Sequence, residues 1–159
     1  MSDRDELIDL VCALAEHLDG RQWDRFADVL TPDASAYGIG GGPDAIAAGT
    51  RHYLEHCGPT QHLVAGHRVQ IDGDRARITS RVRVFHQSAD RSGSYEVLGT
   101  YHDDAVRTAD GWRIAHRTFL AEIELGDISV ILGSNAPLHG SGGLVAASGE
   151  EPNDDSPSR

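Results

Sequence analysis

The stretch Arg75–Gln87, RARITSRVRVFHQ, decides the fold. Its even positions are Ala76, Ile78, Ser80, Val82, Val84 and His86, and its odd ones are Arg75, Arg77, Thr79, Arg81, Arg83 and Phe85. Side chains on a strand alternate between faces. One face is therefore small and apolar and turns inward, while the other is arginine-rich and meets water. His86 falls on the inward face. An imidazole there is either a satisfied core residue or a catalytic group.

Turn signals mark out further strands on both sides. Asp72-Gly73-Asp74, the region Asp90–Gly93 and Ala109-Asp110-Gly111 separate segments at about Gln61–Ile71, Arg75–Gln87, Tyr95–Thr108 and Trp112–Leu125. The chain before them is helical in pattern. Leu7, Leu10, Val11, Leu14, Ala15 and Leu18 recur at helical spacing after the cap Ser2-Asp3 with Glu6, and Gly20 ends the run. A short second helix from about Trp23 carries Trp23, Phe26, Val29 and Leu30 on one side, with Trp23 packing in the core. Thr31-Pro32-Asp33 breaks it. A short strand at Ala34–Gly38 leads into a glycine-rich rim loop, Gly38–Gly42, and Pro43 opens a third helix to about Cys57. Helices first and an antiparallel meander after them predict an α+β fold. The curved antiparallel sheet is covered by three N-terminal helices and forms a cone with an internal pocket. The domain spans 1–133, and its ISVIL run within Asp127–Gly133 is placed to fold back over the pocket mouth. The acidic tail, 134–159, is predicted to be disordered.

Composition narrows the function. A chain of 159 residues fits one domain. Its formal charge of −11 argues against nucleic acid and against anionic membrane surfaces. All 14 basic residues are arginine, so Schiff-base chemistry on a lysine is excluded. Cys12 and Cys57 form no disulfide framework and read as small buried hydrophobes in a reducing cytoplasm. The N-terminus, MSDRDEL, lacks the apolar core of a signal peptide, and no apolar run reaches the ~20 residues that span a bilayer. A cytoplasmic protein is expected.

Nine histidines require individual weighing. His17, His67 and His139 read as surface or loop positions. His52-Tyr53-Leu54-Glu55-His56 spells H-x-x-E-H, a zinc-peptidase pattern. A catalytic zinc needs a third ligand from elsewhere, so a solvated helix face is the better reading and no metal is expected. On the last strands Thr100, His102 and Asp104 share a face, as do Trp112, Ile114 and His116, which makes His102 and His116 pocket candidates. Asp19, His62 and His86 are the set that can carry chemistry. A carboxylate beside an imidazole fixes its tautomer, and two histidines can divide proton removal and delivery. Spacing alone leaves open whether the three meet.

The stretches LDGRQWDRFADVL, TQHLVAGHRVQIDGDRARI, VRVFHQ and GTYHDDAVRTADGWRIAHRTF resemble the SnoaL-like branch of the nuclear transport factor 2-like superfamily over about Leu7 to Gly126. In motif the chain is most similar to scytalone dehydratase. There an Asp before the tryptophan helix, a His in a TQH triplet and a His at a V-x-H-Q strand end form the acid–base set. These map to Asp19, His62 and His86. Leu18 stands where that family has a tyrosine, and Tyr37 lies near the position of a second. Thr100 and His102 lie near its substrate-touching Ser and Asn.

The resemblance implies a cofactor-free dehydratase, cyclase or isomerase acting on a small cyclic carbonyl compound in polyketide-type biosynthesis. His86, held by Asp19, and His62 would serve as base and acid. Tyr37, Thr100, His102 and His116 would contact substrate. It also implies a homodimer or homotrimer built on the outer sheet face. Epoxide opening is an alternative, but it needs an inward arginine, and Arg77, Arg81 and Arg83 face outward. A non-catalytic binding or assembly domain is the other alternative.

Overall fold

The computed structural model describes residues 1–133, so the expected tail and His139 lie outside the described residues. Helix α1 spans Asp3–Asp19 and begins with a capping box between Ser2 and Asp5. A 3₁₀ turn, Trp23–Asp28, follows, then β1 at Leu30–Ala36 and α2 at Pro43–Leu54. Four long strands come next: β2 Cys57–Asp72, β3 Arg75–Ser88, β4 Ser94–Thr108 and β5 Gly111–Gly126. A single turn of helix, α3 at Ser129–Leu132, ends the described chain.

The five strands form one sheet in the order β1-β5-β4-β3-β2. The meander β2 to β5 is antiparallel, as the alternating pattern requires. The sheet as a whole is mixed, because β1 lies parallel to β5. The expected break at Thr31-Pro32-Asp33 sits inside β1. Pro32 is tolerated because β1 is an edge strand whose ladder is interrupted between Leu30 and Ser35. Helix α2 stops at Leu54, short of Cys57, which instead begins β2.

Every even residue of β3 from Ala76 to His86 is buried, while its arginines are exposed. The core falls into two clusters. One packs α1, the 3₁₀ turn and α2 on the sheet through Leu7, Val11, Leu14, Phe26, Ile46 and Ile114, with Trp23 partly buried against it. The other gathers Val82, Val84, Tyr95, Val97 and Tyr101 under Val130 and Ile131 of α3. That second cluster surrounds the cavity.

Two β-bulges in β5 set the chemistry of the concave face. Asp104 pairs with His116 and Ala105 with Ile114, so Ala115 is the extra residue. Leu98 pairs with Ile123 and Gly99 with Ala121, so Glu122 is the extra residue. A bulge shifts the alternation by one residue. The first turns Arg117 inward in place of His116. The second turns Glu124 inward, opposite Val97.

Candidate active site

The cavity has a volume of about 500 Å³ and is lined on its apolar side by Leu18, Val84, Val97, Phe119 and Ile131. His62 and His86 both open onto it. Thr60 pairs with His86 and His62 with Val84, so the two imidazoles are diagonal neighbours on the inner face. Asp19 reaches His62 from the last residue of α1. A carboxylate at a helix C-terminus opposes the helix dipole, so it is not placed there for the helix's sake.

Asp19 grips His62 twice. His62 Nδ1 lies 2.6 Å from Asp19 Oδ1, and the His62 backbone N–H donates to Oδ2 at 2.7 Å. The Thr60 hydroxyl donates to Oδ1 at 3.0 Å, and Arg21 Nη1 donates to that hydroxyl at 2.8 Å. A guanidinium can only donate. The chain therefore runs one way, from Arg21 through Thr60 to Asp19. Arg21, in a left-handed conformation at φ 55°, also donates to the carbonyls of Leu18, Leu54 and Gly58. It ties the ends of α1 and α2 to the start of β2. Burial raises the Asp19 pKa, but the bonds and charge of His62 and the Thr60 hydroxyl outweigh it, and the net shift is down. With Nδ1 committed to Asp19, His62 is left with Nε2 for the cavity.

His86 is in a different state. Its Nδ1 lies 3.2 Å from the Tyr95 carbonyl oxygen, an acceptor, so Nδ1 carries the proton. Burial pushes its pKa down to about 4, and His62 and Arg21 add to this, against the Tyr95 bond and Asp19. His86 is neutral at pH 7 with Nε2 unprotonated. The expectation that Asp19 holds His86 is corrected. Asp19 holds His62, because the β2–β3 register puts His62 at the end of α1 and turns His86 toward β4.

Tyr37, in a left-handed conformation at φ 56°, lines the cavity and accepts a bond from Arg117 Nη1 at 3.2 Å. With that lone pair engaged, its own O–H is free to point elsewhere. Arg117 is fully buried and bonds Asp103 through Nε at 2.6 Å and Nη2 at 2.9 Å. Its guanidinium stacks 4.2 Å from the Tyr101 ring centroid. Burial alone would lower the Arg117 pKa, but the Asp103 carboxylate more than offsets it and the group stays charged. Neither Arg117 nor Asp103 was expected inside. Counting by twos along β5 hides the bulge at Ala115, and no other signal in the chain marks it.

Two of the expected substrate contacts move. Thr100 and His102 are corrected to the outer face. Thr100 bonds Arg81 and Glu122 there, and His102 is exposed opposite Thr79. The alternation of β4 is unbroken, so Tyr101 and Asp103 take the inside. His116, turned by the bulge, still lines the cavity, and its Nδ1 lies 2.6 Å from Ser35 Oγ. Two other histidines are not at the surface. His17 is buried against Gln22, and His67 is half-buried on the hydroxyl of Ser80. Cys12 and Cys57 are free and half-buried. No metal-binding cluster occurs among the described residues, and no described helix is long and apolar enough to cross a membrane.

The fold is an α+β cone whose cavity carries His62, anchored from behind by the half-buried Asp19. The SnoaL-like domain profile matches residues 1–118, and the chain belongs to that family. It is 34% identical over 125 residues to the uncharacterized protein Rv2910c of Mycobacterium tuberculosis, covering 74% of this chain and 84% of that one. Among solved structures it is similar to Kfla4162 of Kribbella flavida, at 28% identity and TM-score 0.75, over 82% of this chain and 97% of that one. A hexachlorocyclohexane dehydrochlorinase of Novosphingobium barchaimii shares the fold at 18% identity and TM-score 0.67, over 77% and 88% of the two chains. A scytalone dehydratase-like protein of Novosphingobium aromaticivorans does so at 17% and 0.67, over 75% and 83%.

Proposed function

We propose that the cavity is the active site of a cofactor-independent lyase or isomerase acting on a small ring compound with an acidified C–H bond. The observation that carries this is the double grip of Asp19 on His62, which leaves Nε2 as a base in a mostly apolar pocket. The base takes a proton from the carbon next to a carbonyl, and the C–H electron pair moves toward the carbonyl oxygen. Tyr37 O–H, backed by Arg117, donates to that oxygen as charge builds. In a dehydration the electrons return to form C=C, the β C–O bond breaks, and the proton on His62 leaves with the hydroxide as water. In an isomerisation the same proton returns at another carbon. Asp19 supports the transient imidazolium. His86, neutral, accepts a hydrogen bond from substrate through Nε2.

Dehydration agrees with the fold shared with dehydratase and dehydrochlorinase proteins; polyketide-type substrates rest on the sequence resemblance alone. Epoxide opening is the second reading, favoured by the inward Arg117 and Asp103. That pair is closed on itself and held behind Tyr37, which favours the proton-transfer reading.

The test is exchange of the α-hydrogens of cyclic β-hydroxyketones in D₂O, followed by proton NMR, with loss of water read in parallel. Wild type should catalyse both. His62→Gln should lower the rate by ~10²–10⁴, the usual cost of removing a general base. Unchanged exchange in both His62→Gln and Asp19→Asn would sink the reading.

A further inference from the structure

The second bulge leaves a charged group that the mechanism does not use. Glu124 lines the cavity on the inner face, paired with Val97, and is itself exposed, so it stands where the cavity meets solvent. It joins none of the ion pairs found among the described residues. Beside it stands Tyr95, 2% exposed, whose ring packs 5.6 Å from that of His86. The Tyr95 hydroxyl is buried and makes no full hydrogen bond, with the Glu124 carboxylate as its nearby acceptor. A buried polar group left unpaired costs free energy that a ligand can recover.

We propose that Glu124 and Tyr95 form a subsite for a substrate hydroxyl at the end of the cavity beside His86, selecting neutral hydroxylated rings over rings that carry a carboxylate. A hydroxyl is both donor and acceptor. Placed between the two groups, it accepts from Tyr95 O–H and donates to the Glu124 carboxylate. Burial first, and then the charge of Glu124 and the phenol's hydrogen-bonding to it, push the Tyr95 pKa up, so the phenol keeps its proton to donate. The neighbouring His86 Nε2 is a further acceptor. This end of the cavity thus offers two acceptors, and a ligand carboxylate would meet only repulsion from Glu124.

The inference rests on the cavity being the substrate site, and its test separates the two. The probes are phenol, resorcinol and meta-hydroxybenzoate, titrated by NMR against the side-chain resonances of His86 and Tyr95. Resorcinol should bind wild type about tenfold tighter than phenol, the worth of one charge-assisted hydrogen bond. That preference should collapse toward one in Glu124→Gln and fall in Tyr95→Phe. The benzoate should bind Glu124→Gln at least about tenfold better than wild type, since an unmet like charge is removed. His62→Gln should leave the preference intact while abolishing α-hydrogen exchange. If Glu124→Gln and Tyr95→Phe leave the ratios unchanged while His62→Gln still stops exchange, the subsite is wrong and the base assignment stands. If no probe perturbs either resonance, the subsite is wrong, and the base assignment stands or falls on exchange alone.

Discussion

At the scale of single residues, His62 and His86 differ in what holds Nδ1. A carboxylate holds one and a backbone carbonyl the other. The second partner stabilises a charged ring far less, so burial wins at His86 and its pKa falls to about 4. This has a measurable consequence for stability. Unfolded His86 takes up a proton near pH 6.5, and folded His86 resists until about pH 4. The folded-state pKa is depressed for a base, so its unfavourable contribution is absent above pH 6.5 and grows as pH falls toward 4. Linkage puts the loss at about 2 kcal/mol between pH 7 and pH 5. Urea titrations at the two pH values should show that loss in wild type and not in His86→Leu. Equal losses in both proteins would mean that His86 is not buried neutral. Asp19 acts in a separate window. Its pKa is lowered, so its stabilisation is present above its unfolded value of 3.8 and is lost only as pH falls below that.

At the scale of elements, much of the site was readable because β3 keeps strict alternation over its whole length. Counting places His86 inside; Asp19 and His62 come from the resemblance, and the structure ties Asp19 to His62 and not to His86. Counting failed on β5, where two inserted residues reverse the faces, and so Arg117 and Glu124 were invisible. The same count reads His116 as fully inward, whereas it is exposed and still lines the cavity. Thr100 and His102 had a different cause. The resemblance points to both and the face they share with Asp104 reads as the inner one, whereas the alternation of β4 around Tyr101 makes it the outer one. The second bulge has its own sequence requirement at Gly99. A Cβ there would stand 2.1 Å from the Leu120 carbonyl oxygen and 2.8 Å from the Phe119 ring. Backbone cannot yield as a flexible side chain does. Gly99→Ala should therefore cost about 1–3 kcal/mol, the range for overpacking. Because Phe119 lines the cavity, it should also weaken resorcinol binding. A urea midpoint equal to that of wild type would show that the bulge does not depend on close approach at Gly99.

At the scale of the whole molecule, the convex face of the sheet is chemically unlike the rest of the surface. Leu63, Phe85, Leu120, Ile123 and Leu125 stand on it, each between 39% and 61% exposed. Arg81 pairs with Glu122 and Arg83 with Glu96 among them, so this face is locally neutral on a chain of charge −11. A net charge of that size keeps copies apart in general. A neutral apolar face is where that repulsion is least and the gain from burial greatest, about 1.5–3 kcal/mol for each large side chain fully covered. Self-association through this face, as a dimer or trimer, is the expected state. Sedimentation velocity should show a species heavier than the monomer in wild type. Leu120→Glu with Ile123→Glu should give monomers of unchanged circular dichroism, because both side chains point away from the core. The cavity lies on the opposite side of the sheet, so resorcinol binding should survive in those monomers. If wild type sediments as a monomer even at high protein concentration, the apolar face has another role; if the monomers no longer bind resorcinol, assembly shapes the pocket through the sheet.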